Sequence, residues 1–169
     1  MLKVTFALDS LHRLQYLYAQ ANERIIMADT HCLLHNCLYF SANALARALT
    51  RLAEEAFAPT GLAPTHAFLL MLVVEQPGIT PSTLAGHLHL APSTVTRLVD
   101  ALIYKQLLEK RPKGKASHIF PTKAGKDLLE HVAKAWKSIY LRYSEILGEQ
   151  AGNDLAQAIN AACERLGQA

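Results

Sequence analysis

The sequence predicts a mainly α fold that holds one small β-hairpin, with two short capped helices just before the hairpin and long helices at both ends. Three observations carry this. Apolar residues recur at steps of three and four along most of the chain. Proline and glycine cluster only at 59 to 64, 77 to 81, 112 to 114 and 148 to 152, so the helical segments between are long. The period changes once, at "LLEKRP" and "ASHIFPT", where alternation replaces helical spacing. At 169 residues and 51% hydrophobic content, the chain is expected to form one domain over 1–169 with a sizeable core.

Taken in order, Leu11, Leu14, Tyr18, Ala21 and Ile25 form a narrow stripe, so 1–28 reads as an extension helix with a two-helix seam. Asp29 and Thr30 break it and cap the next helix. That second helix is expected over 31–57, with Leu34, Cys37, Leu38, Ser41, Leu45, Ala48, Leu49 and Leu52 on one side, ended by "APTGLAP". A third, about Pro64 to Glu75, contains "AFLLMLVV" and is apolar enough to be a buried central element. Thr80 caps a short helix with Pro81 in its first turn and Leu84, Ala85 and Leu88 inward. Another starts at Pro92, with Val95, Leu98, Val99, Leu102 and Ile103 inward and Ser93, Thr94, Thr96, Arg97 and Asp100 outward.

The two strands are joined by Lys113-Gly114-Lys115 and hand over at Thr122, an N-cap, to a helix reaching about Leu147. Its stripe is Leu128, Leu129, Val132, Trp136, Ile139, Tyr140, Tyr143 and Ile146. A last helix, about Asn153 to Leu166, carries Leu155, Ile159, Cys163 and Leu166. Two short helices and then a basic hairpin is the order of a winged helix-turn-helix, here over 58–121, with 31–57 and 122–167 as flanking helices.

Charge is unevenly placed. The chain carries +3 overall, yet between Arg97 and Lys126 eight basic residues face only Asp100 and Glu109, a local +6. Lys110, Arg111, Lys113 and Lys115 are its densest part, and such a zone attracts polyanions. No apolar run approaches the roughly 20 residues of a membrane span, and the N-terminus has no signal-peptide pattern. The three cysteines, none in a CxxC pair, fit a reducing compartment rather than a disulfide framework. GxSxG, HExxH and Gly-rich phosphate loops are all missing, so neither an enzyme nor a cofactor is expected.

The stretch "ITPSTLAGHLHLAPSTVTRLVDALIYKQLLEKR" resembles the MarR family of bacterial transcriptional regulators. The likeness extends in element order over about Leu33 to Leu166 and is strongest at "LAPSTVTRLVDALIYKQLLEKR" and "FPTKAGKDLLE". The resemblance implies a cytoplasmic winged-helix homodimer that binds a pseudo-palindromic double-stranded operator, often releasing it when a small phenolic or oxidant signal binds. The residues fit it one by one. On the second short helix Pro92, Ser93, Thr94, Thr96 and Arg97 offer a rigid start, short donors and one long base for the major groove. Ser82 and Thr83 are placed for backbone contacts, and Arg111, Lys113 and Lys115 for salt-sensitive attraction from the wing. Ser and Thr at a helix start are commonly only caps, and a charge run is usually a solvated face; it is their order and the local +6 that favour DNA.

The chain departs from the family pattern in three places. The wing tip reads "PKGKAS" without the usual Asp-x-Arg, so its contact is assigned to Lys113 and Lys115 from charge alone. His89 and Gln106 stand where glycine is frequent, and both are expected to hold left-handed backbone at a cost of about 1 kcal/mol. The N-terminal 28 or so residues are longer than in most members, which makes Met27 a candidate start of a shorter form.

Other candidates are secondary. An effector pocket is expected where the terminal helices meet the winged helix, around His31, His35, Phe40, His66 and Phe68, although aromatic and His residues there are more often core. His31 and His35 have a spacing that two imidazoles sharing a metal would need, but only Asp29 offers a nearby carboxylate, and no metal is expected. Cys37, just ahead of "YFSAN", is the candidate redox residue; a buried apolar cysteine is the alternative. The rival from another class is a winged-helix interaction module that no longer binds DNA.

Overall fold

The computed structural model describes residue 34, residues 36–113 and residues 116–167. Their order is α1 (Leu38–Phe57), a 3-10 turn (Ala58–Thr60), α2 (Pro64–Glu75), α3 (Pro81–Leu88), α4 (Pro92–Tyr104), β1 (Leu108–Lys113), β2 (Ala116–Pro121), α5 (Lys123–Leu147) and α6 (Glu149–Leu166). The chain divides into two compact units, Met1–Leu49 and Thr50–Ala169. The expected extension helix, and His31, Cys32 and His35 with it, lies outside the described residues.

In the first unit α1 starts at Leu38, where a helix from 31 is expected. The Cys37 carbonyl accepts the first helical bond, from Ser41 N–H at 2.9 Å, which makes Cys37 the residue that opens the helix. Cys37 is exposed rather than buried, because no element of its own unit among the described residues covers that end. Leu38, Tyr39 and Phe40 in the first turn are exposed as well.

The second unit holds the core. Gly61, at φ 67°, follows the 3-10 turn and lets the chain reverse into α2. α2 is apolar on every side, with Ala67, Leu69, Leu70 and Val73 buried, and it packs on α4, α5 and β2. Around it close Phe57, Leu84, Val95, Val99, Leu102, Leu108, Ile119 and Val132, all fully or almost fully buried. Burying each such side chain contributes about 1.5–3 kcal/mol, and this anchors the inner faces of α3 and α4.

The ends of α3 and α4 show the left-handed backbone expected at two positions. His89 (φ 51°) and Gln106 (φ 59°) both take left-handed backbone. After α3, His89 N–H reaches Gly86 O and Leu90 N–H reaches Ala85 O; after α4, Gln106 N–H reaches Ile103 O and Leu107 N–H reaches Leu102 O. Each is a Schellman closure, which satisfies the last carbonyls and turns the chain, and which glycine would enter without strain.

The hairpin is antiparallel, and its register runs from Leu108↔Pro121 to Lys113↔Ala116. Gly114 and Lys115, outside the described residues, stand between the last pair, one residue fewer than the expected connection. Leu108, Ile119 and Pro121 are buried along one face. Ile79 joins the sheet edge through a bridge to Ile119.

Thr122 caps α5, accepting from Gly125 N–H at 3.1 Å, while its hydroxyl donates to Gln106 O at 2.7 Å. A side chain at Gly125 would overlap the Leu107 carbonyl, so glycine lets α5 start against the end of α4. α6 begins at Glu149, four residues before the expected start, because Gly148 alone (φ 84°) makes the break. Gly152 instead sits inside α6, buried beside the Tyr143 ring, where a Cβ would make ordinary contact at 3.5 Å.

Candidate nucleic-acid interface

α4 presents its outer face because Val95, Val99 and Leu102 are buried on the other side. Pro92, Ser93, Thr96 and Arg97 are exposed and Thr94 is half-buried. Ala91 precedes the helix without a side-chain cap, so part of the helix's positive end is open to an anion. Thr96 Oγ1 donates back to Pro92 O at 3.0 Å, and Arg97 Nε–H lies 3.4 Å from Ser93 O. The guanidinium therefore leans along the outer face toward the N-terminus, the end that enters a groove in helix-turn-helix proteins.

α3 is capped differently. Thr80 Oγ1 accepts from Thr83 N–H at 3.2 Å and lies 2.9 Å from Thr83 Oγ1. Thr83 is thus partly committed to its own helix start, while Ser82 beside it is exposed on the first turn.

On the wing, Lys110 Nζ meets Asp100 Oδ1 at 2.5 Å, fastening β1 to the outer face of α4. Arg111 is exposed, 2.5 Å from Glu109 Oε1, with its guanidinium carbon 4.7 Å from the Phe120 ring centroid. Both acidic residues of the basic window are therefore held by basic neighbours, and neither stands as a lone charge against a phosphate. Lys113 lies in β1 by its backbone, but its side chain and all of Lys115 fall outside the described residues.

The expected effector residues are partly accounted for. His31 and His35 lie outside the described residues, and Phe40 is exposed in the first unit. In the second, Phe68 packs edge-on against Phe57, ring centroids 5.3 Å apart, and so serves the core. His66 is half-buried; burial, and after it the positive charge of Lys105, holds its imidazole below the usual range. Lys105 itself reaches Gly61 O at 3.4 Å. A hollow of about 290 Å³ lies elsewhere, between the end of α1 with its 3-10 turn and α5, lined by Ala56, Pro59, Thr60, His131, Lys134, Ala135 and Ser138. Neither His66 nor Phe68 lines it. Among the described residues no three His, Cys, Asp or Glu side chains gather as a metal site, and no single helix is long and apolar enough to cross a membrane.

Sequence reasoning missed the Lys110–Asp100 and Arg111–Phe120 contacts, the closeness of Gly125 to Leu107, and the hollow. The first had a signal: an acid on the outward phase of α4 and a base on the adjacent strand. The others depend on how elements dock.

A sequence model of the MarR family matches residues 62–114. None of the curated protein sequences matches the chain. Solved structures do. CouR from Rhodococcus jostii RHA1, bound to p-coumaroyl-CoA, is 22% identical with a TM-score of 0.67, covering 76% of this chain and 93% of that one. A MarR family transcriptional regulator from Rhodococcus sp. RHA1 is 22% identical at TM-score 0.64, over 74% and 92%. S. aureus MepR in complex with DNA is 16% identical at TM-score 0.67, over 77% and 98%. At these identities the structures speak for the fold, and the sequence match falls on the segment from Leu62 through the helix-turn-helix to the wing. Residues 62–114 thus match the MarR family by sequence, in a chain that shares the fold of MarR-family regulators.

Proposed function

We propose that the chain is a homodimeric, sequence-specific DNA-binding transcriptional regulator, acting in the cytoplasm as a repressor that a small molecule relieves. One observation carries the reading: α4 is locked to the core on one face while the other, with Ser93, Thr96 and Arg97, is exposed beside an uncapped helix start. That is what a helix entering a major groove requires. Pro92 and Thr94 set the start of that helix, Ser82 and Thr83 contact the backbone, and Arg111, Lys113 and Lys115 add attraction from the wing. The DNA complex of MepR supports the assignment by analogy of fold.

The dimer reading rests on the apolar surface of α5 and α6, where Leu141, Ile146 and Leu166 are more than half exposed. Exposed apolar residues on adjacent helices favour burial against a second copy. The ligand reading rests on the hollow beside α5, with apolar walls from Ala56, Pro59 and Ala135 and polar groups from His131 and Ser138. The CoA-ester complex of CouR supports a small-molecule response in this fold. The exposure of Cys37 favours a second reading, in which oxidation rather than a ligand releases DNA. Peroxide should then weaken DNA binding by the wild type and not by Cys37→Ser.

Selection from a pool of random duplexes tests the main reading. Enrichment of a pseudo-palindrome with half-sites about one helical turn, roughly 34 Å, apart is expected. An unenriched pool would leave the winged helix as a protein-interaction module.

A further inference from the structure

We infer that His118 is a positioning residue that ties the wing to the turn before α3 through its Nδ1, and that DNA affinity depends on this tie. The imidazole is half-buried on β2, and its Nδ1 lies 2.6 Å from the carbonyl oxygen of Gly78, forty residues earlier in the chain. A carbonyl oxygen only accepts, so the proton of this bond sits on Nδ1. Nε2 is then the nitrogen left for other partners.

Neighbouring contacts make this a junction rather than a chance approach. Gly78 N–H donates to Ile119 O at 2.7 Å, and Ile119 N–H donates to Ile79 O at 3.0 Å. The Phe120 ring covers Gly78 so closely that a Cβ there would stand 3.1 Å from it. The next residue, Thr80, caps α3. The junction therefore sets how far β2 stands from the start of α3, and through the register how far the basic wing stands from it too. His118 pairs with Arg111, whose guanidinium lies over Phe120, and the pair Lys113↔Ala116 follows two steps toward the tip. The other side-chain fastening of the wing among the described residues, Lys110–Asp100, is 36% and 57% exposed by side chain, and water screens it. His118 is the better shielded of the two holds. It also does not serve the core, because the buried residues of β2, Ile119 and Pro121, alternate with it.

The affinity half of the inference rests on the DNA-binding reading; the tie does not. Nitrogen-edited spectra of the imidazoles in the full-length protein test the tie directly. They should show the neutral His118 ring with its proton on Nδ1, against the Nε2–H form that an unbonded neutral imidazole prefers, and an Nε2–H tautomer overturns the inference. Affinity for a selected duplex is then compared in three variants. The amide of His118→Asn places a donor near Nδ1, that of His118→Gln places one near Nε2, and His118→Leu removes both. Asn should bind within about threefold of wild type, with Gln and Leu about tenfold weaker, the scale of one lost hydrogen bond. Retention by Gln with loss in Asn would mean that Nε2 meets the DNA itself, and equal binding by all three would mean that the bond does not matter; either overturns the proposal. If the variants fail to fold, the wild-type tautomer decides alone. A wild type that binds no duplex ends the affinity half and the function proposed above, and the spectra still decide the tie.

Discussion

Replacing Gly125 by alanine should destabilise this protein, although the same change at Gly86 should stabilise it. Gly125 lies in the first turn of α5, where alanine is favoured over glycine by about 0.8–1 kcal/mol from helix propensity alone. Against that, the new Cβ would overlap the Leu107 carbonyl oxygen and stand 3.1 Å from the Leu107 carbonyl carbon and 3.3 Å from Leu70 Cδ1. The carbonyl cannot swing away freely, because it accepts Thr122 N–H at 3.1 Å. The Gln106 carbonyl beside it accepts the Thr122 hydroxyl at 2.7 Å. Relief must come from moving the start of α5, and overpacking of this kind costs about 1–3 kcal/mol. Straining the two Thr122 hydrogen bonds adds about 1 kcal/mol each. The net expectation is a loss of about 2–4 kcal/mol, which for a chain of this size lowers Tm by roughly 5–15 °C. Gly86→Ala, whose Cβ meets nothing within 4 Å, is the internal control and should raise stability by about 0.5–1 kcal/mol. Thermal and urea unfolding at fixed protein concentration read both. A Gly125→Ala protein that melts at or above wild type would refute the reasoning.

Further tests address the helix ends, the acid side and the core. His89→Gly and Gln106→Gly each relieve a positive φ, 51° and 59°, so each should stabilise by up to about 1 kcal/mol in urea titrations, and a loss in either would mean the side chain contributes more than its backbone costs. His66, held below its ordinary 6.5 first by burial and then by Lys105, binds its proton less readily folded than unfolded; its stabilising share is therefore present above the unfolded value and is lost as pH falls below it. A proton titration by NMR should place His66 under 6.5 and Lys105→Gln should move it upward, whereas a value at or above 6.5 in the wild type contradicts the assignment. Leu102→Ala should cost about 2–5 kcal/mol, since the side chain is fully buried between α4 and the core, and a smaller loss would mean that the site collapses to fill the hole.

The helix-turn-helix was legible in the sequence because each of its boundaries has local chemistry. Pro64, Pro81 and Pro92 each open a helix, Thr80 and Thr122 make the cap bonds their positions promise, and the strands alternate where the period changes. The left-handed turns at His89 and Gln106 were legible as well, from the departure of those positions from glycine. What was not legible depends on how elements dock. Gly152 reads as a break beside Gly148, yet it lies inside α6, buried beside the Tyr143 ring, and only the packing of α6 on α5 reveals this. Phe68 is an aromatic near the expected pocket, but its phase on α2 turns it to Phe57. The hollow next to α5 is lined by Ala56, Pro59 and Thr60 from one stretch and by His131 and Ser138 from another more than 70 residues away, and no local pattern links the two. The outward residues of α4 fall between these cases. Periodicity exposes Ser93, Thr96 and Arg97, while the lean of Arg97 toward Ser93 and the hold of Lys110 on Asp100 come only with the fold.

Affinity for a selected duplex as a function of salt, in the wild type and in Arg97→Ala, tests most directly the claim that α4 reads DNA. A protein whose Arg97 and wing lysines meet the duplex loses affinity linearly in log salt, and removing one phosphate-contacting charge reduces the slope by about 0.9. Removing a base contact instead costs about 1–3 kcal/mol on the selected sequence, with little change on unrelated DNA. Weaker binding by Arg97→Ala in either pattern, with an unchanged melting temperature, is the predicted result. Identical binding curves for wild type and Arg97→Ala on the selected duplex at every salt concentration would contradict it.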